Sequence, residues 1–277
     1  MVIKKYGKVF KDLRKQRGFK LTSFQDKGIS PATVSNFENG KTKIAFDKLQ
    51  KMLHTLSVTT DEYLAYTGES VNSQCSKQKE LVHRITNAIL TENNIELSKC
   101  RSYAIQLQEY SLNLALKGVQ QPLSADEIGT LSEYLDNIKY WRSIDLYTLY
   151  ISIDYLKLRQ SMYILEGFFM EEQYYLPEMT FFHLSCRVIY ALISSNNKEN
   201  AKHFINYLSP QNYPHHTMCS RNLFNFINGY WKAKFGNYDE GMDDLQHALY
   251  IFEQLEKPKI YIYYKRIYDR CLQDISK

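Results

Sequence analysis

Gly28-Ile-Ser-Pro-Ala-Thr-Val-Ser-Asn-Phe-Glu-Asn-Gly40 is the stretch from which the fold of this chain is read. Ser30 followed by Pro31 is a strong helix start: a hydroxyl that caps free N–H groups, then a proline at the first helical position. Gly40 closes the helix that follows, and Gly28 turns the chain before it. Val34 and Phe37, three apart, face inward. Ala32, Thr33 and Asn36 are small or polar and lie on another face. Upstream, Leu21 to Lys27 reads as a short second helix. Ile3 to Arg17 reads as a first one, with Tyr6, Val9, Phe10 and Leu13 at helical spacing and Gly18 at its end. Downstream, a fourth helix covers Phe46 to Leu56, burying Leu49, Met52, Leu53 and Leu56. A fifth starts after Thr60 with Asp61 and Glu62 in its first turn and buries Tyr63 and Leu64.

Two short helices joined by a glycine turn, the second capped by Ser-Pro, make a helix-turn-helix. The charge distribution agrees. Residues 1–67 hold thirteen Lys or Arg against six Asp or Glu, a charge of +7, whereas the remaining 22 basic and 24 acidic residues sum to −2. A basic quarter on a near-neutral body fits a nucleic-acid-binding head joined to another kind of module. A solvated lysine-rich surface would give the same count, so the motif carries more weight than the charge.

The whole chain has 277 residues, 44% hydrophobic and 23% charged, ordinary for a folded protein. Tyr 23 and Phe 14 against Gly 11 and Pro 6 describe a chain rich in aromatics and poor in turn formers. Few breakers over this length predict long helices and short turns. No apolar run reaches the ~18 residues of a membrane span. Met1 to Phe10 is basic without an apolar core after it, so it does not read as a signal peptide. Cys75, Cys100, Cys186, Cys219 and Cys271 are odd in number, widely spaced and form no C-x-x-C pair, which reads as reduced thiols in a cytoplasmic protein. Thr67 to Lys79 is polar and aperiodic and reads as a linker. The expected division is therefore a head at 1–66, a linker at 67–79 and a body at 80–277. In the body, apolar residues recur at three and four spacing: Leu81, Ile85, Ile89; Tyr103, Leu107, Tyr110, Leu114; Ile128, Leu131, Leu135, Ile138. About ten helices of roughly 12–20 residues are expected, and no strand pattern, making the fold all-α.

One stretch of the body, Asn228 to Ala248, resembles a tetratricopeptide repeat. Gly229, Gly236, Tyr238, Gly241, Leu245 and Ala248 fall near its small and bulky positions, although Gly241 stands where Ala is usual. Asn197 to Leu208 reads as half of a more degenerate unit. A generic helical hairpin is the alternative. Repeat arrays of this type form a superhelix with a concave face that takes extended peptides.

The head's pattern resembles that of phage-repressor-like (XRE) regulators, carried by Gly28 to Gly40, Leu49-Gln-Lys-Met-Leu53 and Val58-Thr-Thr-Asp-Glu-Tyr-Leu64. With a helical repeat body of about 200 residues, the layout of the whole chain resembles the Rgg/GadR/MutR family of transcriptional regulators. Leu21-Thr-Ser-Phe, Ile29-Ser30 and Phe37-Glu-Asn-Gly40 carry that similarity in the head, and Tyr140 to Tyr150 in the body. The resemblance implies double-stranded DNA as a partner, with the helix from Pro31 entering the major groove. Ser30, Pro31, Ala32, Thr33, Ser35 and Asn36 would then meet base edges, Asn36 by a bidentate bond to adenine. Lys20, Lys41 and Lys43 would meet phosphates. Glu38 would pair with Arg14 or Arg17. Leu21 stands where many such regulators carry Gln, so one usual phosphate contact is missing.

The resemblance also implies a short signalling peptide as ligand. One helix in one groove gives too little affinity, so a homodimer is expected, with the dimer contact in the helical body, its last helices included; Ile260 to Tyr264 is a candidate surface. A peptide groove needs amide donors, a cation for a carboxylate and apolar pockets. Arg221, Asn222, Asn225 and Asn228 run along α-helical spacing, and an Asn ladder can pair an extended backbone, or else sit at solvent or in a helix seam. Arg142, Arg159 and Arg187 lie among aromatics and could clamp a carboxylate, or stack or pair with Asp or Glu. His183-x-x-Cys186 and His215-His216-x-x-Cys219 lack a second ligand pair for zinc. No phosphate loop or nucleophile elbow occurs, and neighbouring acids such as Glu171-Glu172 and Asp243-Asp244 point to different sides. No cofactor and no catalysis are expected. Two other readings stay open: a body that binds a protein partner, and a repressor without a ligand.

Overall fold

The protein is described here as a computed structural model covering residues 2–68, 74–170, 178–209, 217–255 and 258–276. Glu171-Glu172, His215-His216 and the prolines at 177, 210 and 214 lie outside the described residues, as does the middle of the expected linker. The chain forms two compact units, Met1–Lys79 and Glu80–Lys277.

The first unit holds helices α1 (Val2–Gln16), α2 (Pro31–Glu38), α3 (Phe46–Thr55) and α4 (Thr60–Tyr66). Leu21–Lys27, read from the sequence as a short second helix, is a 3₁₀ helix. This seven-residue helix lies between two left-handed glycines, Gly18 (φ 74°) and Gly28 (φ 73°), and short connectors of this kind adopt the tighter coil. α2 starts as its sequence dictates: the Thr33 N–H donates to Ser30 Oγ at 3.2 Å. At α4, Thr59 and Glu62 cap each other, with N–H to side-chain oxygen distances of 3.2 and 2.7 Å.

Phe10, Phe24, Val34, Phe37, Met52, Leu53 and Tyr63 form the core of this unit. Phe10 on α1 packs between Phe24 and Phe37, with ring centroids 5.8 Å away in each case. Arg14, on the same helix, meets Glu38 at the end of α2 through Nε–Oε1 (2.5 Å) and Nη2–Oε2 (2.9 Å), and its Nη1 donates to the Phe19 carbonyl. Both partners are buried. Gly7 lets α1 approach α2 this closely, since a Cβ there would lie 2.0 Å from the Phe37 carbonyl oxygen.

Among the described residues of the rest of the chain, eleven helices follow: α5 (Gln74–Leu90), α6 (Asn94–Gln106), α7 (Tyr110–Gln120), α8 (Ala125–Asp136), α9 (Ser143–Ser152), α10 (Leu158–Met170), α11 (Glu178–Ser194), α12 (Lys198–Leu208), α13 (Met218–Phe235), α14 (Tyr238–Gln254) and α15 (Pro258–Ile275). α5 is helical from Gln74, so the last part of the expected linker is structured. No strand occurs among the described residues, and the fold is all-α.

Two kinds of neighbour relation organise the body. Sequential helices pair, as in α6 with α7, α11 with α12 and α13 with α14. Alternate helices also pack on one another, α7 on α9, α9 on α11, α11 on α13 and α13 on α15. That is the geometry of a helical repeat array, with the odd-numbered helices forming one row. α13 and α14 approach through Gly229 and Gly241. A Cβ on Gly241 would lie 2.1 Å from the Ala233 nitrogen, so even the alanine usual in such repeats has no room here. The array is closed at one further point. Arg266 on α15 pairs with Glu92 and donates to the Leu90 carbonyl at 3.0 Å, tying the last helix to the first turn of the body.

Gly7→Ala and Gly241→Ala should each destabilise the unit that holds it, by about 1–3 kcal/mol, the range for overpacking a filled interface. Denaturant unfolding of each variant checks this. The same change at Gly129, where a Cβ meets nothing within 4 Å, should leave stability nearly unchanged or raise it.

Candidate nucleic-acid interface and ligand cleft

The exposed edge of α2 carries the residues expected to read DNA. Ser30 and Ala32 are exposed, while Pro31, Thr33, Ser35 and Asn36 are half-buried. Ser30 Oγ is 2.9 Å from Thr33 Oγ1, so both hydroxyls are ordered by the helix start. Asn39 Nδ2 donates to the Ser35 carbonyl at 2.8 Å. Among the described residues, the Asn36 side-chain amide has no hydrogen-bond partner, which leaves its donor and acceptor available to a base edge. Beyond α2 the Lys41 N–H folds back to the Asn36 carbonyl at 2.8 Å, and Lys41 and Lys43 are exposed, as is Lys20 ahead of the 3₁₀ helix. Leu21 is half-buried against the core. Of the two arginines that could meet Glu38, Arg14 does so; Arg17 instead reaches the Ser57 carbonyl at 3.5 Å.

Cations are distributed differently in the two units. Among the described residues of the body, nine Lys or Arg side chains stand within ion-pairing distance of a carboxylate. In the first unit, among the described residues, only Arg14 and Lys27 do. Lys27 pairs with its own neighbour Asp26 at the surface, an arrangement worth little.

The odd-numbered row of the body lines a half-open cleft. Its walls are Tyr150 from α9; His183, Cys186, Arg187 and Tyr190 from α11; Leu223, Phe226 and Ile227 from α13; and Tyr263, Tyr264, Ile267 and Arg270 from α15. Two arginines and no carboxylate line it. Arg187 donates to Asp154 Oδ2 at 2.5 Å, and its guanidinium lies 5.9 Å from the centre of the Tyr150 ring. Its Nε is buried with no hydrogen-bond partner among the described residues. Arg270 forms no ion pair among them. Burial holds His183 below the ordinary imidazole value, so it is neutral at pH 7, and burial pushes the Cys186 thiol up.

Of the seven body residues expected at a ligand site, the structure brings only Arg187 to this cleft. The asparagines are turned away. The cleft face of α13 is Leu223, Phe226 and Ile227, one residue out of phase with Asn222, Asn225 and Asn228, and one residue is a rotation of 100°. Asn222 is buried in the α13–α14 seam, donating to the Ala248 carbonyl at 3.0 Å. Asn225 and Arg221 are exposed. Arg159 is exposed on α10, outside the odd-numbered row.

Arg142 is engaged elsewhere. It clasps Glu109 by two bonds of 3.0 Å, and Asp145 through Nη2 at 2.7 Å and Nε at 3.0 Å, with Tyr134 donating to Asp145 at 2.6 Å. Asp145 and Glu109 are buried, so Arg142 neutralises two carboxylates at the joint of α7, α8 and α9. The run Ile260 to Tyr264, expected as a dimer surface, is divided. Tyr263 and Tyr264 line the cleft, while Ile262 is exposed together with Tyr250, Ile251 and Leu255. The sequence reading missed Tyr150, Tyr263, Tyr264, Ile267 and Arg270 as cleft residues. Tyr263, Ile267 and Arg270 do recur at helical spacing, but nothing local says which neighbour that face meets.

A helix-turn-helix head with unpaired cations, joined to a helical repeat body, defines a helix-turn-helix transcriptional regulator. The comparisons with known proteins give the particular family. Residues 72–266 match the C-terminal domain of the HTH-type transcriptional regulator Rgg, and residues 10–63 match a helix-turn-helix family. The chain belongs to the Rgg family of regulators. Its fold is similar to that of the SHP pheromone receptor Rgg2 of Streptococcus dysgalactiae, at 20% identity and TM-score 0.73, covering 96% of this chain and 99% of that one. A putative transcriptional regulator of Listeria monocytogenes EGD-e is similar at 14% identity and TM-score 0.71, with 98% of each chain covered. PrgX, in its complex with cCF10, is similar at 17% identity and TM-score 0.65, covering 98% of this chain and 92% of that one.

The contrast between the two arginines is measurable. Arg142→Ala uncovers Asp145 and Glu109 and should lower the stability of the body by on the order of 2 kcal/mol, less than for a fully buried pair because Arg142 is itself half-exposed. Arg187→Ala, whose partner Asp154 is exposed, should cost well under 1 kcal/mol in the same denaturant titration.

Proposed function

We propose that this protein binds a specific promoter sequence through α2 and that its body takes a short peptide in the odd-row cleft, which alters promoter output. In this reading residues 1–66 are the DNA-binding head, 67–79 a linker, and 80–277 the sensing and dimerising body. The observation that carries the DNA half is the set of cations in the head left without carboxylates, around a helix whose Asn36 amide is also unpartnered. Polyanionic backbone supplies the missing counter-charges, and base edges supply the missing hydrogen bonds.

The peptide half rests on the cleft. Its tyrosines and aliphatic side chains suit apolar side chains of a ligand, and Arg187 and Arg270, with no lining carboxylate, suit a C-terminal carboxylate. A pheromone receptor and a bacterial peptide pheromone/receptor complex among the similar structures support the same ligand class. A peptide shifts output by its differential affinity for two states of the regulator. One recognition helix in one groove gives too little affinity, so the active form is a homodimer on a partly palindromic site. The exposed Tyr250, Ile251, Leu255 and Ile262 of α14 and α15 are its contact surface. The protein acts in the cytoplasm and not as an enzyme.

Genome-wide binding of the tagged protein, with and without conditioned medium from its own dense culture, tests this. Discrete promoter peaks with output that changes with the medium are expected; peaks indifferent to the medium would remove the peptide half, and no peaks would remove both. Asn36→Ala should lose sequence-specific binding, by about 1–3 kcal/mol at one base pair, and keep weak salt-dependent affinity. Unchanged preference in a competition assay would mean that another face of the head reads the bases.

A further inference from the structure

We propose that α1 carries a second phosphate-binding edge, formed by Lys8, Lys11 and Lys15, along which the DNA backbone continues past the contacts of Lys41 and Lys43. This rests on the DNA-binding reading above and extends it to a helix outside the helix-turn-helix.

Positions 8, 11 and 15 are spaced three and four apart, which places them within about 60° of arc on one side of α1. Lys8 and Lys15 are exposed and Lys11 is half-buried. None forms an ion pair among the described residues, even though Asp12 stands one turn beyond Lys8. Like charges three and four apart oppose helix formation by a few tenths of a kcal/mol per pair. The helix therefore carries a repulsion that no ion pair among the described residues of the head relieves, whereas nine cations of the described body have carboxylate partners.

The position of the stripe decides what relieves it. Gly7 abuts the backbone of Phe37 and Glu38 at the end of α2. Lys11 is one turn above Gly7 on the same side of α1, so it stands beside that end. There the chain leaves α2 and runs to Lys41 and Lys43, both exposed and without ion pairs. Arg14, between Lys11 and Lys15 in sequence, is locked to Glu38 and holds α1 in place. Gly7 and Arg14 thus hold α1 against the C-terminal end of the helix that enters the groove, the end from which the chain runs on to Lys41 and Lys43. A partner that lies along this edge and neutralises evenly spaced cations is the sugar-phosphate backbone beside the groove. Such contacts fix position and add affinity without reading sequence.

The test uses the full-length chain and a pool of random 40-bp duplexes. Wild type and the triple variant Lys8→Gln/Lys11→Gln/Lys15→Gln each select sites from the pool, and affinity for the selected duplex is measured from 50 to 300 mM KCl. The triple variant should enrich the same sequence. Its slope of log affinity against log salt should be shallower by about 2 to 3 for each bound head, close to ~0.9 per lost phosphate contact. Its melting temperature should be no lower than that of wild type, because a like-charge cluster has been removed. The charge-keeping Lys8→Arg/Lys11→Arg/Lys15→Arg variant should retain the wild-type slope. An unchanged slope in the glutamine variant, with the same enriched site, would overturn the α1 edge and leave DNA binding intact. If wild type enriches no site at all, the DNA-binding reading falls and takes this inference with it.

Discussion

The body depends on one constraint: α7, α9, α11, α13 and α15 each bury a face against a neighbouring odd-numbered helix, and α7, α11, α13 and α15 pack on a sequential helix as well. A helix with one such duty needs a single apolar stripe. A helix with two needs apolar residues around much of its surface, which α9 has, with Ile144, Leu146, Leu149 and Ile151 all buried. The same constraint makes the cleft, because the row exposes a shared side to which α9, α11, α13 and α15 each contribute. Where two helices come closest, at Gly229 and Gly241, side chains are absent and backbone meets backbone. The aromatic wealth of the sequence goes largely into this row and its seams, as in the stack of Phe252 on Tyr264 with centroids 3.9 Å apart.

The head solves a different problem with fewer residues. Its core is small, and a bidentate ion pair is placed where a larger domain would place another apolar layer. Arg14 and Glu38 join α1 to the end of α2 and satisfy the Phe19 carbonyl as well. Buried pairs of this type orient more than they stabilise. Here the orientation is that of the helix carrying Asn36, so its angle is set from behind by residues that touch no ligand.

Local chemistry was legible in the sequence, and relations between distant helices were not. Ser30-Pro31, Gly28 and Gly40 are local signals, and the start and end of α2 that they mark lie where expected; the Thr59–Glu62 cap places the start of α4 one residue earlier than the sequence reading. Arg14 and Arg17 were both credible partners for Glu38, because the choice depends on how α1 is rotated against α2. The asparagine series on α13 shows the limit more sharply. Its spacing defines a face correctly, but the neighbouring face of Leu223, Phe226 and Ile227 is the one that meets the cleft. Arg142 sits among aromatics in sequence and among carboxylates in space, since Glu109 arrives from 33 residues away. No periodicity announces such a partner.

The link from Arg266 to Glu92 and to the Leu90 carbonyl gives the body a mechanical character. A row of stacked helices joined only to its neighbours is a spring with a free end, and a disturbance at the last coil dissipates by fraying. Fastening α15 to the turn between α5 and α6 turns the spring into a hoop. The fastening gives a displacement of α15 at the cleft a second route to the end of α5, beside the one through the stacked row.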